Sequence, residues 1–238
     1  MVTFKTSEID KNAKVLVLAP HPDDFDAIAV TLKLFHDNGN HIELAVVSGA
    51  ASGVEDAFCV KYPGESKAEI REREQLASCA FFGLPGDSVT FLHMKEDAEG
   101  APEESSENIQ ILRNYIQNIK PDIVFMPHWN DTNAGHRRTY SMLRKIAGNF
   151  TVYLNRDAKT IKMSEDIYTP FGENEAEWKA ELLRCHESQH QRNLNTRGHG
   201  FDERVLQVNR RIAAESGCAA PYAEAFEINY TPSSAASR

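Results

Sequence analysis

Lys14-Val15-Leu16-Val17-Leu18-Ala19-Pro20-His21-Pro22-Asp23-Asp24 is the stretch that decides the fold. Six residues, almost all apolar, read as a short strand buried on both faces. Pro20 and Pro22 then forbid a helix and set an extended loop. A helical pattern resumes from about Asp26 to Asn38, with Ile28, Leu32 and Phe35 on one face, and Gly39 ends it. His41–Val47 reads as a second strand.

The alternation continues along the chain. Ser48–Glu65 is a long loop rich in small and acidic residues. Ser66–Phe82 is a helix closed by Gly83 and Pro85. Ser88–Leu92 is a third strand and Lys95–Ser105 a polar loop. Glu107–Lys120 is a helix, with Ile109, Leu112, Ile116 and Ile119 in register. Asp122–Met126 is a fourth buried strand. Pro127–Gly135 is irregular, and His136–Ala147 is helical. Thr151–Leu154 is expected as a fifth strand, Glu175–Gln191 and Phe201–Ser216 as helices, and Ala223–Ile228 as a last strand. Strand, helix, strand, helix is the pattern of an open, mainly parallel, Rossmann-like α/β sheet flanked by helices. The region after Thr151 looks less regular and is expected to cap the sheet. With no linker or repeat, 1–230 is expected to be a single domain and 231–238 a fraying tail.

Composition narrows the function. The chain has 238 residues, 41% of them hydrophobic, with 26 Lys+Arg against 35 Asp+Glu, a formal net charge of −9. This balance argues against a nucleic-acid partner, which needs clustered cations, and against anionic membrane surfaces. No apolar run approaches the ~20 residues that span a bilayer, and Met1–Lys14 lacks the apolar core of a secretory signal. Cys59, Cys79, Cys185 and Cys218 are too scattered for a disulfide framework, so a reducing, cytoplasmic setting is expected.

In open α/β folds the ligand lies beyond the carboxyl ends of the strands. Two segments occupy such positions: Pro20–Asp24 after the first strand, and Pro127–His136 after the fourth. Each brings imidazole and carboxylate groups, which suit zinc. His21 and Asp24 can point inward from one turn, and His136 can close the triangle. Asp23 is left beside the metal as a general base. The plainer reading of Asp23-Asp24 is a helix cap followed by a first-turn acid favoured by the helix dipole. A loop histidine such as His128 is plainly read as a surface or hydrogen-bonding group. Neither G-x-G-x-x-G nor G-x-x-x-x-G-K-[ST] follows the first strand, which weakens a nucleotide-binding reading.

His21-Pro22-Asp23-Asp24 after an apolar strand resembles the opening motif of the PIG-L/LmbE-like zinc-dependent N-deacetylases. Further pieces fall in the family's order: Arg71-Glu72-Arg73-Glu74-Gln75-Leu76-Ala77 with Phe82-Gly83-Leu84; Pro121–Pro127 and Asn130–Thr139; His186-Glu187-Ser188-Gln189; and Tyr222-Ala223-Glu224-Ala225-Phe226. The similarity spans residues 14 to about 228. It implies a Rossmann-like hydrolase that removes the N-acetyl group from an N-acetylglucosamine-type sugar or its conjugate. It implies zinc, or another divalent metal, on His21, Asp24 and His136, with zinc-bound water attacking the amide and Asp23 as general base. Arg71 matches the family arginine that reaches substrate hydroxyls. Its alternative is a solvated arginine paired with Glu74 along the helix. Substrate-binding roles are expected at Arg71, Asn133, Asp131 and His128. Relatives often assemble as trimers or hexamers, so a homo-oligomer is expected.

Three departures stand out. Most members read H-x-D-H where this chain has Asn133-Ala134-Gly135-His136. Asn133 replaces the histidine that helps to hold the oxyanion; an amide can donate a hydrogen bond but cannot carry a proton. Gly135 replaces a carboxylate able to orient an imidazole. The glycine pair that usually follows the first motif is absent, with Phe25–Val30 in its place. His128, His186, His190 and His199 are candidates for the missing imidazole. The departures leave two alternatives open: a hydrolase of a different amide in a sugar conjugate or natural product, and a metal- or sugar-binding homologue with impaired catalysis.

Overall fold

The computed structural model describes residues 1–230. Strand β1 (Val15–Ala19) is buried at all five positions. It is an interior strand of a seven-stranded sheet with β2 (Ile42–Val46), β3 (Val89–Phe91), β4 (Ile123–Pro127), β5 (Thr151–Asn155), β6 (Ile167–Phe171) and β7 (Tyr222–Tyr230). The order is β3-β2-β1-β4-β5-β7-β6. β1 pairs in parallel with β2 on one side and β4 on the other, Val15 opposite both Ile42 and Ile123. β3 and β5 extend the parallel set, and β7 is antiparallel to both β5 and β6.

Alternation along β1 divides the core. Val15 and Val17 face one layer with Leu32, Phe35 and Cys79. Leu16 and Leu18 face the other with Leu112, Ile116, Met142 and Leu143. The first layer is covered by α1 (Ala29–Asp37) and α3 (Lys67–Phe82), the second by α4 (Ser106–Ile119) and α5 (Ala134–Leu143). A continuous apolar run with helices on both faces is how a parallel sheet satisfies a strand with no solvent side. The helix ends are written in sequence. Ser66 and Glu69 form a capping box at the start of α3, Ser105 caps α4, and Gly83 leaves α3 at φ +97°.

The strands at 15–19, 42–46, 89–91, 123–127 and 151–155 match the sequence expectation closely. Three expectations are corrected. The loop at 48–65 contains a short helix, α2 (Asp56–Cys59). The helix expected over Glu175–Gln191 is two helices, α6 (Glu173–Arg184) and α7 (Glu187–Arg197). The break falls at His186, whose ring turns inward to Asp26, while Glu74 accepts both Ser188 N–H (2.7 Å) and Ser188 Oγ–H (2.7 Å) at the new helix start. The region after Thr151 is regular rather than a loose cap: it adds β5, β6, β7, α6, α7 and α8 (Phe201–Ser216). β6 escapes sequence reading because Pro170 sits inside it. A proline is tolerated there because β6 is the edge strand. The tail expected to fray, 231–238, lies outside the described residues.

A buried ionic knot ties the last strand to the first helix. Glu224 in β7 accepts the N–H groups of Val30 (3.2 Å) and Thr31 (2.8 Å) at the start of α1. Lys179 of α6 donates to Glu224 Oε1 (2.7 Å), Ala27 O (2.6 Å) and Asn209 Oδ1 (3.0 Å), so all three ammonium protons have acceptors. No helix among the described residues is long and apolar enough to cross a membrane.

Candidate active site

The sheet order reverses direction between β1 and β4, and both candidate turns leave the sheet there. In the first turn, Asp23 has φ +95°, a left-handed conformation that costs a non-glycine residue of order 1 kcal/mol or more. Contacts from α3 hold it: its N–H donates to Gln75 Oε1 (2.9 Å) and its Oδ2 accepts from Arg71 Nη2 (2.6 Å). Asp24 folds back on the same turn, with Oδ2 accepting His21 N–H (3.0 Å) and lying 3.0 Å from His21 Nδ1.

The second turn brings His136 in from the first turn of α5. Its Nε2 lies 3.4 Å from Asp24 Oδ1, and the His21 and His136 rings are 5.0 Å apart. One ligand atom each from His21, Asp24 and His136 falls within 4.8 Å of the others, as does a second set of Asp131, His136 and Asp157. Two imidazoles and a carboxylate fit a divalent transition metal such as zinc, with room for water. The two sets share His136, but its Nδ1 is already 3.1 Å from Asp131 Oδ2, the arrangement that orients a ligand histidine.

Charge follows from this packing. Burial raises the Asp23 carboxyl pKa above its usual range, and Arg71 only partly offsets it. Burial works against Asp24 ionising too, but the imidazoles of His21 and His136 hold its pKa well below the usual carboxylate range. Burial disfavours a charged His136, yet Asp24 and Asp131 push its pKa up to about 10. The ionised Asp24 is thus balanced by the imidazoles around it, and a metal bound by these donors would take the place of the His136 proton.

The site residues open on a cleft of about 280 Å³, lined by His21, Asp23, Asp24, Arg71, Asn133 and His136 with parts of α7 and α8. Arg71 does not occupy a solvated face paired with Glu74. It is buried, 3% exposed, and its donors go to Asp23, Pro22 O and Ala50 O. It therefore borders the cleft chiefly as the clamp on the Asp23 turn. Asn133 lines the cleft as expected; its Oδ1 accepts Gly135 N–H (2.8 Å) and its Nδ2 lies 3.2 Å from His21 Nε2.

Two expected substrate contacts are corrected. Asp131 does not line the cleft: it is buried behind His136, and its Oδ1 accepts Asn133 N–H (2.6 Å). His128 is also buried away from the cleft, its Nδ1 accepting Asn130 N–H and its Nε2 3.3 Å from Glu227. His186, His190 and His199 do not line the cleft either. The Nε2 of His186 is 2.8 Å from Asp26 Oδ2 beneath the site. None of the four histidines supplies the missing imidazole.

Gly135 has a geometric reason. A Cβ there would lie 2.6 Å from His21 Nε2, so only glycine lets the ring rest against this backbone. The carboxylate that the H-x-D-H pattern places at this position is instead supplied to His136 from Asp131, four residues earlier. Sequence reading missed Gln75 and Glu74 as supports. The signal was present: Arg71, Glu74, Gln75 and Ser78 form an i, i+3, i+4, i+7 stripe, and all are buried. It is a polar stripe, and a search for apolar periodicity passes over it.

A family model for the PIG-L domain, GlcNAc-PI de-N-acetylase, matches residues 16–147. That is more than half of the chain, and the chain belongs to this family. Membership supports a hydrolytic enzyme acting on N-acetyl amides. No curated protein matches the sequence. Among solved structures, the N,N'-diacetylchitobiose deacetylase from Pyrococcus horikoshii is similar at a TM-score of 0.73 and 20% identity, over 96% of this chain and 88% of that one. GalB, the 4-carboxy-2-hydroxymuconate hydratase from Pseudomonas putida KT2440, is similar at 0.68 and 17%, over 92% and 97%. A deacetylase of teicoplanin biosynthesis is similar at 0.67 and 14%, over 93% and 100%. At these identities the likeness establishes a shared fold.

Proposed function

We propose that this protein removes the N-acetyl group from an N-acetylglucosamine-type amino sugar or its conjugate, with zinc or another divalent metal held by His21, Asp24 and His136. The observation that carries the reading is the position of Asp23: it lies beside the three-donor cluster, faces the cleft, and is not a member of the cluster. A bound divalent metal supplies Lewis-acid polarisation of an amide oxygen and makes water acidic enough to react near neutral pH.

The chain's own residues do the rest. Asp23 takes the proton from the attacking water, and burial of its carboxyl makes it a stronger base than an exposed aspartate. As the C–N bond breaks, Asp23 returns that proton to the departing amine nitrogen. Arg71 and Gln75 keep the carboxylate in place through the cycle. Asn133 Nδ2 is the side-chain donor at the position of the family's oxyanion histidine. The family match and the deacetylases sharing the fold support this reading. Four unbridged cysteines fit a cytoplasmic setting.

The test is acetate release by zinc-loaded protein from a panel of N-acetylated sugars, with a chelator control and Asp23→Asn alongside. Release that stops with chelator and in the variant is expected. A second reading, a different amide substrate, is favoured by the absence of an imidazole at Asn133. Cleavage of larger conjugates without turnover of free N-acetylglucosamine would select it. Zinc binding with no release from any amide would overturn both.

A further inference from the structure

The wall of the cleft opposite the metal-sized cluster is built by α7 and α8. On α7, Gln189, Arg192 and Asn193 face the cleft at i, i+3 and i+4. On α8, Phe201, Arg204 and Val205 do the same. Neither helix turns an acidic side chain into the cleft. The wall carries two guanidinium groups, and both lack a carboxylate partner. Among the described residues, the exposed Arg192 donates to Gly53 O (3.3 Å), and neither it nor the half-buried Arg204 has a carboxylate within 4.0 Å. The nearby Asp202 is already committed to Arg184 (2.7 Å) and lies 3.3 Å from His190. Arg73 holds Glu65, Arg138 holds Asp97 and Arg156 holds Glu165 and Glu215, whereas Arg113, Arg137, Arg144 and Arg210 bond neutral oxygens and do not line the cleft.

The acids that do line the cleft lie elsewhere. Asp23 is engaged by Arg71 and Asp24 by the imidazoles. Asp157 and Glu99 sit on the loop after β5 and the loop before α4, with Lys159 beside Asp157. Two planar cations without carboxylate partners, lining the same cleft as Phe201 and Val205, give a wall suited to an oxyanion on an apolar stem. Guanidinium forks recognise carboxylate and phosphoryl groups through paired, charge-assisted hydrogen bonds.

We propose that Arg192 and Arg204 form an anion subsite, so that the preferred substrate is an N-acetylated sugar carrying a carboxylate or phosphoryl group on the side away from the acetamide. The subsite rests on the reading of the cleft as an N-deacetylase, and its test keeps the two apart. The first arm compares kcat/KM of the zinc-loaded full chain for N-acetylglucosamine, its 1-phosphate, its 6-phosphate and N-acetylmuramic acid. The three charged sugars present phosphate or carboxylate at different ring positions. At least one is expected to exceed the neutral sugar by about 10- to 100-fold, the range for a charge-assisted hydrogen-bonded pair. Arg192→Gln and Arg204→Gln are expected to lower that charged-to-neutral ratio about tenfold, chiefly through KM. Arg192→Lys is expected to restore only part of it, and Arg184→Gln, on the outer surface, leaves the ratio as it was.

The second arm needs no turnover. It measures binding of the same sugars to Asp23→Asn protein by calorimetry, with zinc content checked. Preference for a charged sugar, lost in Arg204→Gln at full zinc occupancy, supports the subsite even if no acetate is ever released. Equal handling of neutral and charged sugars in both arms overturns it, as does an equal loss for all sugars in the arginine variants.

Discussion

The turns after β1 and β4 meet at one cluster, but they are supported differently. The first leans on α3: Gln75 holds the Asp23 N–H and Arg71 holds its carboxylate, so a backbone in the left-handed region is fixed by residues about fifty positions away. The second has side chains that brace one another, on a backbone paired with the loop after β5, where Thr132 N–H donates to Lys159 O (3.1 Å) and Asn130 O accepts Ile161 N–H (2.8 Å). Asp131 accepts from Asn133 and faces His136, Asn133 accepts from Gly135, and Arg137 donates back to Asp131 O. In the first turn Asp23 has little freedom, because both its amide and its carboxylate answer to distant partners. In the second, side chains that brace one another can place a carboxylate at one position or another, as with Asp131 where the family pattern has it at 135.

Four experiments break or sharpen this contrast. The largest effect belongs to the externally braced turn. Asp23→Asn is expected to lower kcat/KM by about 10²- to 10⁴-fold with the metal retained, the range for a general base. Normal turnover in this variant would falsify the assignment of the base. In the self-braced turn, Asp131→Asn is expected to weaken metal affinity about 10- to 100-fold, since it removes the carboxylate behind a ligand imidazole. Competition against a chromophoric chelator reads it, and unchanged affinity would place orientation of His136 elsewhere. Restoring the family residue, Gly135→Asp, is expected to harm rather than help. The new Cβ meets His21 Nε2 at 2.6 Å, and an overpacked site costs about 1–3 kcal/mol. Thermal melts of metal-free protein check this, and a rise in Tm would show that His21 has another place to go.

The smallest effect is a shift in pH dependence. Burial raises the Asp23 pKa and the Arg71 guanidinium lowers it. Removing that guanidinium in Arg71→Met takes away the largest lowering influence on Asp23. The base then stays protonated to a higher pH, and the acid limb of the kcat/KM profile moves to higher pH. A limb that stays in place, or moves to lower pH, would mean that the limb reports another group.

Much of this was legible in the sequence where the signal is local. The apolar run at 15–19, the prolines after it and the small-residue punctuation gave five strands nearly to the residue, and strand–helix alternation gave a mainly parallel sheet. His21, Asp24 and His136 were legible because each ends a strand or begins a helix at the switch point. What stayed hidden depends on contacts distant in sequence. Nothing near His186 announces a helix break, because the cause is Asp26 and Glu74 from the other half of the chain. Whether Arg71 was solvated or turned to the site stayed open in the sequence, because its partners are backbone carbonyls in two loops and the Asp23 carboxylate. Asp131 and His128 look like cleft residues from their place in the loop, but their side chains turn inward to His136 and towards Glu227.

The knot of Lys179, Glu224 and the start of α1 has a consequence for how the protein is made. A ribosome delivers residues 15–136, with both site turns, long before it delivers β7. Until Glu224 emerges, the Val30 and Thr31 amides lack their carboxylate cap and β5 lacks its β7 neighbour. A nascent chain halted before residue 224 therefore carries every group of the site on an unfinished scaffold, with an open sheet edge exposed to pairing with other chains. Completion of the sheet, and with it a settled site, waits for β7 to be synthesised.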